Sequence, residues 1–343
     1  MIKTNNITNT ITNDEVIKKE QKRPPGRPPG KKIEIKTEKL GIVNNPNNIL
    51  NKLGNIVFQL TYDNPVVFKN LFNIYKKYDT SIIEICFDKE KTYIYAKDHN
   101  DEVVIFCELY GKNMNRYYCN ETIKMSFTAR TIFKTFDGIS RIFNSINFIV
   151  LERSKRSKLI IIFKNDDQTS QYTIDILSTK CEMITDDNIT KYSEKEKDYP
   201  INFTMNLKEM KPKLSELSHI SKVIEIEQGL IKTESGVTKQ IMFKCSSDNS
   251  NLTNKSTFTN KNYFNLQSTF NDPYFYISLY IKNIKPFVVS LTKNKAIFYL
   301  QTGSSLVVKS LLDIAIDKNK KVIPNSEIGY IKIIAKIVTS RDD

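Results

Sequence analysis

The sequence predicts an α+β chain built from two similar strand-rich domains, each carrying two short helices with a basic outer side. Three observations predict it. Phe203 to Glu227 reads as strand, lysine-bearing helix and strand in one compact unit. Phe58 to Asp88 has the same order, its closing strand Ile83-Glu84-Ile85 standing where the later unit has Ile224-Glu225-Ile226. Between the two units a polar, highly charged stretch over residues 181–200 reads as an extended linker, anchored by Met183, Ile184, Ile189 and Tyr192. The division is therefore an arm over 1–55, a first domain over 56–180, the linker over 181–200 and a second domain over 201–340.

Composition narrows the function classes. At 343 residues the chain is long enough for two cores. It holds no apolar run of membrane-spanning length, and its polar N-terminus lacks the apolar middle of a signal peptide, so the expectation is an intracellular, non-membrane protein. Five scattered cysteines without a C-x-x-C pair read as buried reduced thiols. Only two histidines, His99 and His219, are available for a metal site or a nucleophilic triad, and His219 reads as structural. Phosphate-binding glycine loops are absent. No cofactor, no metal and no catalysis are expected. The net charge of +14 points to a polyanion, nucleic acid first. Residues 1–55 carry 11 Lys/Arg against 5 Asp/Glu, and the remaining 41 against 33 leave the body at +8.

In chain order, the arm is Asn-, Thr-, Lys- and Pro-rich with little apolar periodicity and reads as disordered. Its Pro25-Gly26-Arg27-Pro28 resembles the Arg-Gly-Arg-Pro core of an AT-hook, with Pro25 in place of the first arginine. Arg23, Arg27, Lys31 and Lys32 would be its DNA contacts. A basic proline-rich linker or a nuclear-import signal is the other reading. Alternation from Val57 to Tyr62 predicts a strand, and Asn64-Pro65 supplies an N-cap and a first-turn proline. Phe68, Leu71, Phe72, Tyr75 and Tyr78 form the apolar stripe of the helix that follows, with Lys69, Asn73, Lys76 and Lys77 opposite. Strands are predicted over 82–87, 92–96 and 103–109. A second helix runs from Thr128 to Asp137, with Arg130 and Lys134 outward and Gly138 as C-cap. Strands return over 148–152, 159–163 and 171–177.

The second domain repeats the plan. Its first helix spans about 208–221 with Lys208 and Lys211 polar, and Pro212 either starts or kinks it. Strands follow over 222–226, 230–234 and 240–245, then a long polar excursion over 246–268 reads as a surface loop with one short strand. A last helix over 281–291 carries Lys282 and Lys285 and an awkward Pro286. Strands over 296–301, 305–316 and 328–337 close the chain.

Short motifs in this order carry a family resemblance. Leu217-Ser218-His219-Ile220, Tyr117-Tyr118-Cys119, Ser305-Leu306-Val307-Val308-Lys309 and Gly329-Tyr330-Ile331-Lys332 resemble, in sequence and separation, steps of the sliding-clamp family of proliferating cell nuclear antigen. The resemblance spans about Ile56 to Val338 and looks like a divergent clamp from a large DNA virus or an A·T-rich genome. It implies the DNA-clamp fold, with helices lining a basic inner face and an outer antiparallel sheet. The implied protein is a non-catalytic DNA polymerase processivity factor, a homotrimeric ring around double-stranded DNA in the nucleus or a viral replication factory.

Lys69, Lys76, Lys77, Arg130, Lys134, Lys208, Lys211, Lys282 and Lys285 would then touch phosphates. Lys69, Lys134 and Lys211 stand first among them. Polymerase and other replication proteins would dock short hydrophobic motifs on Ala96, Val103, Ile105, Ile184, Ile189, Ser305, Ile334 and Lys336. Ring contacts would join residues 171–177 of one copy to 240–245 of the next. The alternatives are a monomeric or dimeric processivity factor holding DNA by a basic face, and a clamp-like transcription or damage-checkpoint subunit.

Overall fold

Alternating strands that each bury one face must be covered on that face, and four short amphipathic helices do the covering. In the computed structural model, residues 55–139, 142–151, 158–178, 180–233, 236–246, 253–258, 263–268, 275–293, 295–312 and 326–338 are described. The arm, with Arg23, Arg27, Lys31 and Lys32, lies outside them.

The first half runs β1 (Ile56–Tyr62), α1 (Pro65–Lys77), β2 (Ile82–Phe87), β3 (Lys91–Lys97), β4 (Val103–Tyr110), β5 (Arg116–Cys119), β6 (Ile123–Thr128), α2 (Ala129–Asp137), β7 (Ser145–Leu151), β8 (Lys158–Lys164) and β9 (Thr169–Asp175). The linker region forms α3 (Asp186–Ser193) and a 3-10 turn, Lys195–Asp198. The second half runs β10 (Ile201–Asn206), α4 (Leu207–Leu217), β11 (Val223–Thr233), β12 (Gly236–Ser246), β13 (Thr253–Phe258), β14 (Tyr263–Ser268), β15 (Tyr276–Tyr280), α5 (Ile281–Ser290), β16 (Lys295–Leu300), β17 (Leu306–Leu312) and β18 (Gly329–Ala335). Among the described residues no helix is long and apolar enough to cross a membrane.

Three antiparallel sheets result, in the strand orders β5-β1-β7-β8-β9, β14-β10-β16-β17-β18-β4-β3-β2-β6 and β13-β12-β11-β15. The nine-stranded sheet crosses from one half to the other where β18 pairs β4, from Gly329↔Leu109 to Ala335↔Val103. Gly329 is required there: a Cβ on it would lie 2.0 Å from the Glu108 carbonyl oxygen.

The helices follow their apolar spacing. Phe68, Leu71, Phe72 and Tyr75 of α1 are all buried, and each contributes about 1.5–3 kcal/mol by leaving water. Asn64 holds the N-cap position without a side-chain capping bond, so Pro65 is what marks the start. Gly138 ends α2 in right-handed geometry, φ −75°, not the left-handed form a glycine stop usually takes. Asn206 accepts the Lys208 N–H and caps α4. Pro212 and Pro286 are each the sixth residue of their helix, and both helices continue through them. Each proline removes one backbone hydrogen bond and leaves packing to hold the turn.

Several expectations change. The two strands expected over 222–226 and 230–234 are one, β11 (Val223–Thr233), which runs through Gly229. The polar excursion contains two strands, β13 and β14, because backbone pairing with β12 and β10 overrides its Asn/Ser/Thr composition. β6 and β15 were not foreseen. The expected 240–245 ring edge is wrong: those residues sit in β12, paired on one side to β11 and on the other to β13. The edges of that sheet are β13, beside β12, and β15, beside β11, whereas β9 is indeed an edge of its own sheet.

Candidate nucleic-acid interface

Packing joins the four short helices into one layer, with α1 against both α2 and α5, and α4 against α5. The Tyr78 hydroxyl, just past α1, donates to the Asn283 carbonyl of α5 at 2.8 Å. The basic residues of both halves therefore share one surface. Burial lowers the pKa of Lys211 in α4, and the like charge of Lys77 at the end of α1 lowers it further. Like charges from α1 and α4 thus repel one another, which suits the layer to an external anion.

The nine candidate cations of the body divide by environment. Lys77, Arg130, Lys134 and Lys208 are exposed and, among the described residues, form no side-chain ion pair. Lys76 is exposed but bonded to Asp137 at 2.7 Å, joining α1 to α2. Lys282 pairs with Glu102 at 2.9 Å and lies 5.1 Å over the Tyr280 ring. Lys69, Lys211 and Lys285 are only half exposed. Their ammonium groups donate to Ile139 O (2.9 Å), Leu291 O (2.7 Å) and Ser218 Oγ (2.7 Å). Two of the three positions ranked first in the sequence thus point along the helix layer. Spacing shows which face a lysine occupies but not where its four-carbon stem turns.

The proposed docking residues fare differently. Ala96, Val103 and Ile105 are 0%, 1% and 0% exposed and belong to the main core. The face assignment was off by one residue, which in a strand reverses every side chain. The outward residues of β3 and β4 are Tyr93, Tyr95, Val104, Phe106 and Tyr110, and the linker covers them. Ile184 is buried and Ile189 half-buried in this second cluster with Tyr95, Phe106, Tyr192 and Tyr330. Ile334 is nearly buried beside Tyr199 and Val307. Ser305 shares a 3.1 Å hydrogen bond with the Tyr199 hydroxyl, and Lys336 is exposed.

The linker is not extended. Thr185 caps α3 by accepting the Asn188 N–H, and Asp186 and Asp187 fill its first turn, where carboxylates complement the helix dipole. Two carboxylates hold its ends. Glu84 of β2, 4% exposed, accepts the backbone N–H groups of Glu182, Met183 and Ile184 at 3.1, 3.0 and 2.7 Å. Glu196 binds the ammonium groups of Lys309 and Lys332, and Lys332 also donates to Ser193 O at 3.3 Å. Burial works to raise the Glu196 pKa, but the two lysine hydrogen bonds win and hold it below the usual carboxylate range. Burial in turn lowers that of Lys332, against the pull of Glu196. Lys309 lies 3.9 Å over the Tyr330 ring, whose hydroxyl donates to Glu108 at 2.9 Å. Sequence reading missed this latch. Glu84 between apolar neighbours, Ile83-Glu84-Ile85, was its visible trace, whereas Glu196 stands between Lys195 and Lys197.

The repeated strand–helix–strand units, the paired helix layer and the sheet that runs unbroken across both halves define the fold as that of the sliding clamps. The crystal structure of PCNA from Thermococcus kodakaraensis superposes on 82% of this chain and 100% of its own, with a TM-score of 0.60 at 11% identity. In sequence, the chain is 26% identical over 288 residues to an uncharacterized protein of African swine fever virus, in isolates from Kenya and Namibia alike. That alignment covers 82% of this chain and 91% of the viral one. No protein-family model matches the sequence.

Proposed function

We propose that this chain is a viral sliding clamp, a non-catalytic DNA polymerase processivity factor that closes around duplex DNA as a homotrimer. One observation carries the reading: in a clamp fold, the helices of both halves pack into one layer, and its exposed Lys77, Arg130, Lys134 and Lys208 form no side-chain ion pair among the described residues. Such a surface suits phosphates at every register. Non-specific contacts of that kind hold a protein on DNA while letting it slide.

The working units are the domains 56–180 and 201–340, joined by 181–200, with the 1–55 arm adding affinity for A·T-rich minor groove. Rings would close by pairing the β9 edge of one copy with the β13 edge of the next, since both edges are otherwise open. Leu177, 58% exposed just beyond β9, would be covered there. Polymerase and other replication proteins would bind on the outer face, where the linker lies over the aromatic residues of β3, β4 and β18. The body's net charge of +8 favours a second reading, a monomer or dimer that holds DNA by its basic face alone.

Two measurements decide between them. Light scattering across a concentration series should give the mass of a trimer, and Leu177→Asp should reduce it to that of a monomer without unfolding. Protein loaded on a nicked circle should survive high salt and be lost when the circle is cut. A wild-type monomer at every concentration, or equal retention on cut and uncut DNA, would remove the ring.

A further inference from the structure

Three of the four helices of the layer share a pattern that spacing alone does not reveal. Leu207-Lys208-Glu209-Met210-Lys211-Pro212 opens α4 and Ile281-Lys282-Asn283-Ile284-Lys285-Pro286 opens α5, in the same order. The fifth residue of each is a lysine, and so is the fifth residue of α1, Lys69. In α2 that position is Phe133, with Lys134 one residue later.

All three fifth-position lysines do the same thing. Lys211 of α4 donates to the carbonyl of Leu291, the C-cap residue of α5. Lys285 of α5 donates to the hydroxyl of Ser218, the C-cap residue of α4, and that hydroxyl in turn donates a hydrogen bond to Ser215 O at 2.7 Å. The two helices thus cap each other reciprocally. Lys69 of α1 reaches the Ile139 carbonyl, one residue past the C-cap of α2. Each ammonium sits at a helix C-terminus, where the helix dipole is negative.

We infer that Lys69, Lys211 and Lys285 are helix-to-helix staples, positioning residues that set the layer's geometry, and that Lys77, Arg130, Lys134 and Lys208 are its phosphate contacts. The assignment rests on the DNA-binding reading above. It splits a set of basic residues that look alike in sequence. A staple already spends its charge on a partner helix, and moving it to a phosphate would uncap that helix. An exposed cation with no acid partner gives up nothing when DNA arrives. Because α2 has Phe133 at the fifth position, the α1–α2 pair is stapled by such a lysine from one side only.

Two double variants of the full chain test the division. Lys211→Met with Lys285→Met should lower the melting temperature by about 4 °C and leave unchanged the salt slope of affinity for a linear random-sequence duplex. Lys134→Gln with Lys208→Gln should leave the melting temperature in place and flatten the slope by about 0.9 per cation removed. Ser218→Ala, which deletes an acceptor and no charge, should reproduce part of the thermal loss at constant slope, and it serves should the methionine pair fail to fold. A methionine pair that flattens the slope at unchanged melting temperature would overturn the inference, as would Ser218→Ala with wild-type stability. If the wild type binds no duplex, the clamp reading falls, and with it the phosphate half of the assignment. The melting temperatures still decide the staples.

Discussion

Replacing Glu196 by alanine should release the linker and cost the fold measurable stability. Its carboxylate binds two ammonium groups, and one of them, on Lys332, is fully buried. Removing one partner of a buried pair costs about 3–5 kcal/mol, because the other charge stays out of water. Here the low end applies. Lys332 keeps the Ser193 carbonyl at 3.3 Å and the faces of Tyr330 and Phe106 at 5.2 and 5.7 Å, and Lys309 is partly exposed. The expected loss is about 3 kcal/mol. Urea unfolding would read it, and hydrogen exchange of the amides over 184–199 should quicken as the linker lifts to hydrate Lys332. Adding Lys332→Met should recover most of the loss, since the stranded charge is then gone. A cost below about 1 kcal/mol for Glu196→Ala, with linker exchange unchanged, would refute the latch.

Three further outcomes follow from the same structure. Gly329→Ala should destabilise by about 3 kcal/mol in urea and weaken the β4–β18 seam, because the new Cβ meets the Glu108 carbonyl oxygen. On acidification, the stability that Glu196 contributes is complete above its ordinary value near 4.5 and lost as pH falls through its lower folded value. Linker exchange should therefore rise in that acid range in the wild type but not in Glu196→Ala. Deleting residues 1–55 should lower affinity for linear DNA and its salt slope while leaving the mass of the assembly unchanged. Loss of assembly would tie the arm to the body.

Much of the architecture was legible because periodicity reports burial. The α1 stripe, the repeat from Phe58 to Asp88 in Phe203 to Glu227, and the family steps near Leu217 and Gly329 all depend on local pattern. What failed depends on parity and partners. Ala96, Val103 and Ile105 alternate as a surface row would, and nothing local says which of the two rows faces inward. The strands β13 and β14 exist through neighbours far along the chain. The linker's charge and polarity hid a helix whose anchors, Glu84, Lys309 and Lys332, lie on β2, β17 and β18. Pro212 and Pro286 look like helix breakers, yet apolar residues on either side, such as Met210 with Leu214 and Ile284 with Phe287, hold each helix to the core.

The strand pair that makes the sheet continuous also orders the chain's assembly in time. β4 leaves the ribosome early, but β18 lies more than 200 residues further on, and the contact between Tyr330 and Glu108 spans 222 residues. Throughout that interval β4 has β3 on one side and bare backbone on the other. An apolar strand with an open edge invites pairing with whatever chain is nearby. Many copies made at once in a crowded compartment would each pass through this exposed state. The last steps of synthesis, and the loop closure that brings β18 back, are where this protein is most vulnerable to pairing with the wrong molecule.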